Sequence, residues 1–103
     1  MRLRNVKNKT EILNNCNYLI KDPKNYKGKW HELFNNKNKI YLEIGMGKGN
    51  FLIKNALKNK DINYIGIEKF DSVLAKAIKK IPSDLSNLYI IRGDAVEVDN
   101  MFF

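Results

Sequence analysis

Residues Ile40 to Phe51 read IYLEIGMGKGNF, an apolar run that ends in a glutamate and three alternating glycines. The run from Ile40 to Ile44 is rich in β-branched and aromatic residues, which is typical of a short buried strand that ends before Gly45. Glycines at every second position allow the backbone to approach a ligand closely. The acid beside them, Glu43, favours a ligand that carries positive charge or hydrogen-bond donors. This stretch therefore predicts a strand that runs into a ligand-binding loop.

Strand and helix patterns alternate in the rest of the chain. The predicted elements are the strand Ile40–Ile44, a helical stripe from Phe51 to Leu57, the strand Tyr64–Ile67, a helical stripe from Val73 to Ile81, and the strand Leu88–Ile91. Asp71 or Ser72 is expected to cap the second helix, and Pro82 to end it. Alternating strands and helices pair their strands in parallel through right-handed crossovers. We therefore predict an α/β fold with the order β-α-β-α-β, half of a doubly wound, Rossmann-like sheet.

An acidic residue stands at the carboxyl end of each predicted strand. Glu43 is next to the last residue of the first strand, Glu68 directly follows the second, and Asp94 follows the third. Ligands of doubly wound sheets bind beyond the carboxyl ends of the strands, which all lie at one edge. We therefore expect the three acids to meet at one site.

Three nucleotide-binding patterns compete for the glycine loop. A P-loop needs a glycine five positions before its Gly-Lys pair and a Ser or Thr after the lysine, where this chain has Leu42 and Gly49. A dinucleotide fingerprint, G-x-G-x-x-G, needs a glycine at the position of Asn50, so it matches only in part. The pattern that fits is an acid followed by G-x-G-x-G, formed by Glu43, Gly45, Gly47 and Gly49.

That pattern resembles the first motif of the class I S-adenosylmethionine-dependent methyltransferases. Their cofactor carries a sulfonium and an ammonium group but no phosphate. The resemblance implies that the three glycines admit the methionyl part of the cofactor and that Glu43 suits its cations. It also implies that Glu68 accepts from both ribose hydroxyls, and that Asp94 with Ala95 lies at the adenine.

Further motifs are similar to the amino-terminal part of the bacterial tRNA (guanine-N7-)-methyltransferase family. They are Arg2-Leu3-Arg4, Asp22-Pro23, Tyr26-Lys27-Gly28-Lys29-Trp30, Glu43-Ile44-Gly45-Met46-Gly47-Lys48-Gly49, Tyr64-Ile65-Gly66-Ile67-Glu68 and Gly93-Asp94-Ala95. The resemblance covers essentially the whole chain and implies methyl transfer from S-adenosylmethionine to N7 of a guanine in tRNA. Guanine N7 has a free lone pair at neutral pH, so this transfer requires alignment rather than a general base.

One motif of that family is missing. Its Asp-Pro-Trp-Pro-Lys-type motif follows the fourth strand, and this chain reaches Phe103 without it. We therefore expect no catalytic residue in this chain and a target-base pocket beyond Phe103. The apolar residues from Val96 onward have nothing after them to cover them, which favours a fragment; a non-catalytic remnant that binds RNA or cofactor is the alternative. Alone, the chain should be inactive, with Ile40–Ile44 as an unpaired sheet edge.

Positive charge is concentrated at the start of the chain. Residues 1–30 hold eight lysines and arginines against two acids, a net charge of +6 out of +8 for the whole chain. This asymmetry predicts an RNA-facing basic arm at residues 1–35, followed by a truncated cofactor-binding half-domain at residues 36–103. The expected RNA contacts are Arg2, Arg4, Lys7, Lys27 and Lys29. The glycine loop alone would also permit a methyltransferase that acts on a small molecule or a protein, or a nicotinamide enzyme. The basic arm argues against the small-molecule and protein methyltransferases.

The aromatic residues of the arm leave two readings open. Tyr18, Tyr26 and Trp30 lie among the lysines, where they either stack on exposed bases or pin the arm to the core.

Length and composition restrict the class of protein. The 103 residues suffice for one small domain, and no apolar run approaches the roughly 20 residues of a membrane helix. Without a leader pattern, the sequence predicts a soluble cytoplasmic protein. Cys16 is the only cysteine and has no cluster of metal ligands around it, so neither a disulfide nor a metal site is expected. The pattern does not distinguish a monomer from a homodimer.

Overall fold

The computed structural model describes residues 8–102. Its strands are β1 (Ile40–Ile44), β2 (Asn63–Glu68) and β3 (Leu88–Arg92). Its α-helices are α1 (Lys9–Asn14), α2 (Trp30–Phe34), α3 (Asn50–Lys58), α4 (Asp71–Ile78) and α5 (Val98–Phe102), with 3-10 helices at Pro23–Tyr26 and Ala95–Glu97. No helix in the described range is long and apolar enough to cross a membrane.

The three strands form one parallel sheet in the order β1-β2-β3. In its register Glu43 lies opposite Gly66, and Glu68 lies opposite Arg92. β2 is buried along its whole length, because it has a strand on each side and helices over both faces. The predicted α/β class and the β-α-β-α-β order are confirmed.

The two faces of the sheet have separate cores, since successive side chains of a strand point to opposite faces. Tyr64 of β2 belongs to a cluster with residues of α1, α3 and α4, among them Leu13, Leu52, Ala56 and Leu74. Ile65 and Ile67 belong to a second cluster, which contains Trp30, Phe34, Val98 and Met101. Helices from both ends of the chain therefore cover the second face.

The two edges of the sheet differ. The outer edge of β3 is covered by an earlier part of the chain, because the Ile20 N–H donates to the Ile90 carbonyl at 2.9 Å. β1 has no second strand partner within residues 8–102. Tyr41 and Ile44 of β1 are 42% and 50% exposed. The open edge predicted at Ile40–Ile44 is present in the described structure.

The apolar residues after β3 are better covered than the sequence predicted. Val98 and Met101 are only 7% and 1% exposed. Trp30 lies over them, and its Nε1–H donates to the Met101 carbonyl at 3.0 Å. The expectation that this stretch lacks cover is therefore wrong for these two residues. It holds for Val96, which is 82% exposed, while Phe103 lies outside the described residues.

Aromatic residues of the arm pin it to the core. The rings of Trp30 and Phe102 stack with their centroids 4.5 Å apart, and Tyr26 lies 5.7 Å from Trp30. The Tyr18 hydroxyl donates to the Pro82 carbonyl at 2.6 Å. Because these contacts bury Trp30, its ring has no free face on which a base could stack. Of the two predicted roles, Trp30 therefore has that of attaching the arm to the core.

The start and end of α4 differ from the prediction. The N-cap position is Phe70, and Asp71 is the first helical residue. Asp71 instead forms an ion pair with Arg92, with Oδ1 and Nε 2.7 Å apart. The expected cap at Asp71 or Ser72 is therefore wrong, because a partner on β3 engages the Asp71 carboxylate. The helix also ends at Ile78, four residues before Pro82.

The apolar stripe of α3 is narrower than predicted. Leu52, Ile53 and Ala56 are buried, whereas Phe51 and Leu57 are 55% and 46% exposed. Phe51 extends toward the open side of β1, where its ring lies 6.2 Å from that of Tyr41. No strand within residues 8–102 lies beyond β1 for these two side chains to cover.

Candidate functional site

A cleft of about 280 Å³ opens at the carboxyl ends of the three strands. Its lining residues come from the last residues of β1 and β2 and from the segments that follow all three strands: Ile44, Gly45, Ile67, Glu68, Lys69, Phe70, Gly93, Asp94 and Ala95. Four residues predicted from the sequence, Gly45, Glu68, Asp94 and Ala95, thus lie at one cleft. Glu43, Gly47 and Gly49 are not among its lining residues.

The glycine loop closes onto the end of β2. The N–H groups of Gly45 and Met46 both donate to the Ile67 carbonyl, at 2.8 and 2.9 Å. Gly45 and Gly47 have φ angles of 74° and 58°, which residues with a Cβ rarely adopt. The glycines are therefore required by the shape of the loop itself.

Met46 anchors this loop in the core. Its side chain is 6% exposed and lies directly over Gly66 of β2. A Cβ at Gly66 would lie 2.5 Å from both Met46 Sδ and Leu52 Cδ2, so only a glycine leaves room for both. Gly49 has a packing role of the same kind, because a Cβ there would lie 3.2 Å from that of Ala77.

The Glu68 carboxylate is held in a fixed position beside the cleft. Glu68 is 7% exposed; its Oε1 accepts from the Gly47 N–H at 2.9 Å, and its Oε2 accepts from the Phe70 N–H at 3.1 Å. A carboxylate offers about four acceptor positions, so each oxygen can accept a second donor. The geometry suits a ligand that presents two neighbouring hydroxyl groups. Gly47 contributes by orienting this carboxylate.

The Glu43 carboxylate, unlike that of Glu68, has an oxygen without a hydrogen-bond donor among the described residues. Its Oε1 is enclosed and accepts no hydrogen bond within the described structure. Burial raises the pKa of the Glu43 carboxyl above its ordinary value of 4.5. An enclosed carboxylate without a partner is costly, and a ligand with a cation or donor at this position would supply the missing interaction.

Asp94 and Ala95 lie in the turn after β3. The Asp94 N–H donates to Glu97 Oε1 at 3.2 Å, and the Glu97 N–H donates to the Asp94 carbonyl at 3.0 Å. These two hydrogen bonds hold the Asp94–Ala95 turn at the wall of the cleft.

Five lining residues were not among the predicted site residues: Ile44, Ile67, Lys69, Phe70 and Gly93. Phe70 is 53% exposed, and Lys69 Nζ lies 5.1 Å from the centre of its ring. Phe70 offers a planar apolar surface beside Glu68. A sequence signal could have identified Phe70: it is an aromatic residue two positions after the acid Glu68 and precedes the buried apolar residues of α4.

Of the residues predicted to contact RNA, Lys27 and Lys29 do not line this cleft. Lys27 and Lys29 are exposed on either side of Gly28, in the turn between the first 3-10 helix and α2. Arg2, Arg4 and Lys7 lie outside the described residues. In the described part of the chain, no group of three His, Cys, Asp or Glu side chains is placed to hold a metal ion.

Comparison of the fold identifies a methyltransferase neighbour. A solved structure described as "Structure of an antibiotic related Methyltransferase" matches with a TM-score of 0.58 and 24% identity, over 67% of this chain and 37% of that chain. This likeness supports the Rossmann-like fold.

Comparison of the sequence is more specific. The tRNA (guanine-N(7)-)-methyltransferase of Lachnoclostridium phytofermentans is 48% identical, over 99% of this chain and 48% of that protein. The protein of the same name from Streptococcus pyogenes serotype M6 is 45% identical, over 99% of this chain and 49% of its own length. This chain thus spans about half the length of the curated relatives it matches. The resemblance read from the motifs is confirmed.

A family described as "Putative methyltransferase" matches residues 37–103, from just before β1 to the last residue of the chain. The matched segment contains the glycine loop, all three strands and every lining residue of the cleft. The chain therefore belongs to this methyltransferase family.

Proposed function

We propose that the protein acts in methyl transfer from S-adenosylmethionine to N7 of a guanine in tRNA, and that these 103 residues carry the cofactor-binding part. The observation that carries the proposal is the cleft at the strand ends, where the oriented Glu68 carboxylate lies beside the glycine loop. The names of the relatives support tRNA as the substrate.

The described residues fit the chemical groups of this cofactor. Glu68 can accept from two vicinal ribose hydroxyls, and Phe70 provides an apolar face for a ring. Asp94 and Ala95 are assigned to the adenine. Glu43, with its unpartnered Oε1, is assigned to the cationic methionyl part. A dinucleotide fits less well, because its pyrophosphate at the glycine loop would lie close to the Glu43 carboxylate.

The residues of this chain bind and orient rather than exchange protons. S-adenosylmethionine supplies an activated methyl group on its sulfonium. Glu68 and the glycine loop would hold the adenosyl and methionyl parts in place, and Glu43 would accept from the ammonium. Because guanine N7 has a free lone pair, alignment of the two reactants accounts for the rate, and no general base is assigned.

The RNA-facing role of residues 1–35, the domain boundary at residue 36 and a cytoplasmic location stay predictions. We assign the target-base pocket to sequence that the longer relatives have and this chain lacks. The second candidate is therefore a chain that binds cofactor or RNA without transferring a methyl group.

The test combines cofactor binding and methyl transfer. The 103-residue chain should bind radiolabelled S-adenosylmethionine in equilibrium dialysis but transfer no label to unmodified tRNA. A chain extended by any in-frame sequence that encodes an Asp-Pro-Trp-Pro-Lys-type motif beyond Phe103 should form 7-methylguanosine. Absence of cofactor binding by the folded chain would refute the cleft assignment. Methyl transfer by the 103-residue chain alone would refute the assignment of the target pocket.

A further inference from the structure

Two further cavities share lining residues with each other, and the larger one also shares them with the proposed cofactor cleft. A cavity of about 580 Å³ shares Lys69, Gly93 and Asp94 with the cleft. A third cavity of about 390 Å³ shares Lys21, Arg92 and Glu97 with that larger one. Together the two form a groove, which we call the arm groove, between the end of β3 and the segment that follows α1.

The rim of the arm groove is cationic. Lys21, Lys24, Lys69 and Arg92 line it, and all four are exposed. Arg92 uses Nε for its ion pair with Asp71, and its side chain is 61% exposed, so other N–H donors of the guanidinium face solvent.

Acidic residues also line the arm groove, but most of them are less exposed than the cations. Asp94 and Glu97 are partly buried, and a Glu97 carboxylate oxygen is engaged by the Asp94 N–H. Asp22 is the exposed acid of the groove, beside two lysines. The exposed charge is therefore predominantly positive.

We propose that the arm groove binds the sugar-phosphate backbone of tRNA and guides it toward the cofactor cleft. This inference rests on the proposed function and assigns RNA contacts to Lys21 and Lys24 rather than to Lys27 and Lys29. A polyanionic strand fits a groove with cations spaced along its rim, whereas one compact anion would require them to converge on one point. Since these cations contact phosphates and not base edges, binding at the groove is independent of sequence.

Three double variants of the 103-residue chain test the proposal, each removing two positive charges. Lys21→Gln with Lys24→Gln alters the arm groove, Lys27→Gln with Lys29→Gln alters the neighbouring turn, and Lys54→Gln with Lys58→Gln alters the exposed face of α3. Binding of tRNA and of an unrelated single-stranded RNA is measured by fluorescence anisotropy from 50 to 200 mM salt, with folding checked by circular dichroism.

The arm-groove variant should bind both RNAs about tenfold more weakly at the lowest salt, and the slope of log Kd against log salt should fall by roughly 1.4–1.8. The α3 variant should retain the parent slope. A separate Asp71→Asn change should strengthen RNA binding severalfold, because it releases the Arg92 guanidinium.

Equal losses of RNA affinity in all three double variants, or a loss confined to the Lys27 and Lys29 variant, would refute RNA binding at the arm groove. Absence of RNA binding by the folded parent chain would overturn it as well. S-adenosylmethionine binding, measured in the same samples, separates these outcomes from failure of the proposed function, since Lys21 and Lys24 do not line the cofactor cleft.

Discussion

At the scale of single residues, two carboxylates at neighbouring strand ends have contrasting surroundings. Glu68 accepts two backbone hydrogen bonds, whereas Glu43 has an enclosed oxygen that accepts none. The first carboxylate is stabilised by two backbone donors, whereas the second has a buried oxygen without a hydrogen-bond partner in the described structure. This difference predicts different consequences when each is replaced.

Replacing Glu68 should weaken cofactor binding. Glu68→Ala removes an oriented acceptor and also releases the N–H groups of Gly47 and Phe70. We expect a loss of about 1.5–3 kcal/mol in the free energy of S-adenosylmethionine binding, the scale of hydrogen bonds to a charged group. Equilibrium dialysis measures the loss, with Glu32→Ala at an exposed position of α2 as the control. Unchanged affinity in a folded Glu68 variant would remove this residue from the site.

Replacing Glu43 should stabilise the free protein and weaken cofactor binding. Burial raises the pKa of this carboxyl in the folded state, so its ionisation opposes folding as the pH rises through and above 4.5. Glu43→Gln should therefore unfold at a higher temperature than the parent at pH 7, and the difference should vanish at low pH, where both side chains are neutral. The gain should stay below about 1 kcal/mol because the side chain is partly exposed. A parent chain more stable than the variant at pH 7 would show that Glu43 has a partner.

At the scale of elements, the glycine loop is positioned by a contact between Met46 and Gly66. The missing Cβ at Gly66 leaves room for the Met46 side chain over the centre of β2. The same loop supplies the Gly47 N–H that orients Glu68. Core packing and the orientation of the Glu68 carboxylate are therefore linked through the loop that Met46 anchors.

Enlarging Gly66 should destabilise the protein by about 1–3 kcal/mol, because the added methyl overlaps Met46 and Leu52. Urea unfolding of Gly66→Ala, Met46→Ala and the double variant measures how far the two substitutions interact. The double variant should lose at least about 0.5 kcal/mol less free energy of unfolding than the sum of the two single losses. Gly66→Ala combined with Met101→Ala, on the other face of the sheet, should be additive. Additivity of the Met46 pair as well would contradict the proposed contact.

Local patterns in the sequence account for the three strands, α3, α4 and part of the cleft, but not for α1, α2, α5 or the contacts between distant segments. Strand composition predicted β1, β2 and β3. Of the three acids at their ends, Glu68 and Asp94 line one cleft, whereas Glu43 does not. Trp30 and Met101 are 71 positions apart, so their hydrogen bond leaves no trace in any local pattern. The pairing of Asp71 with Arg92 escaped prediction for the same reason, since an acid at a helix start also reads as a cap.

At the scale of the whole molecule, the sheet is closed at one edge and open at the other. Residues 18–20 cover β3, while β1 exposes backbone groups and apolar side chains. Tyr41 and Phe51 form part of this exposed apolar surface. An edge of this composition favours pairing with a further strand.

The 103-residue chain should therefore self-associate through β1. Sedimentation velocity should show a concentration-dependent increase in mass, and Tyr41→Lys should reduce it, because lysine on an edge strand opposes pairing. Val96→Lys replaces the more exposed Val96 away from this edge and should have no effect. A parent chain that is monomeric at all concentrations, or equal effects of the two substitutions, would contradict this account of the edge.

The central claim is that the cleft at the strand ends holds S-adenosylmethionine, and photo-crosslinking tests it most directly. Radiolabelled cofactor is irradiated with dilute protein, and the labelled peptides are identified by mass spectrometry, with unlabelled S-adenosylmethionine or NAD as competitors. The account predicts label on the segments that contain Phe70 and Asp94, which line the cleft, and its loss with S-adenosylmethionine but not with NAD. Label confined to other segments, or competition by NAD alone, would contradict it.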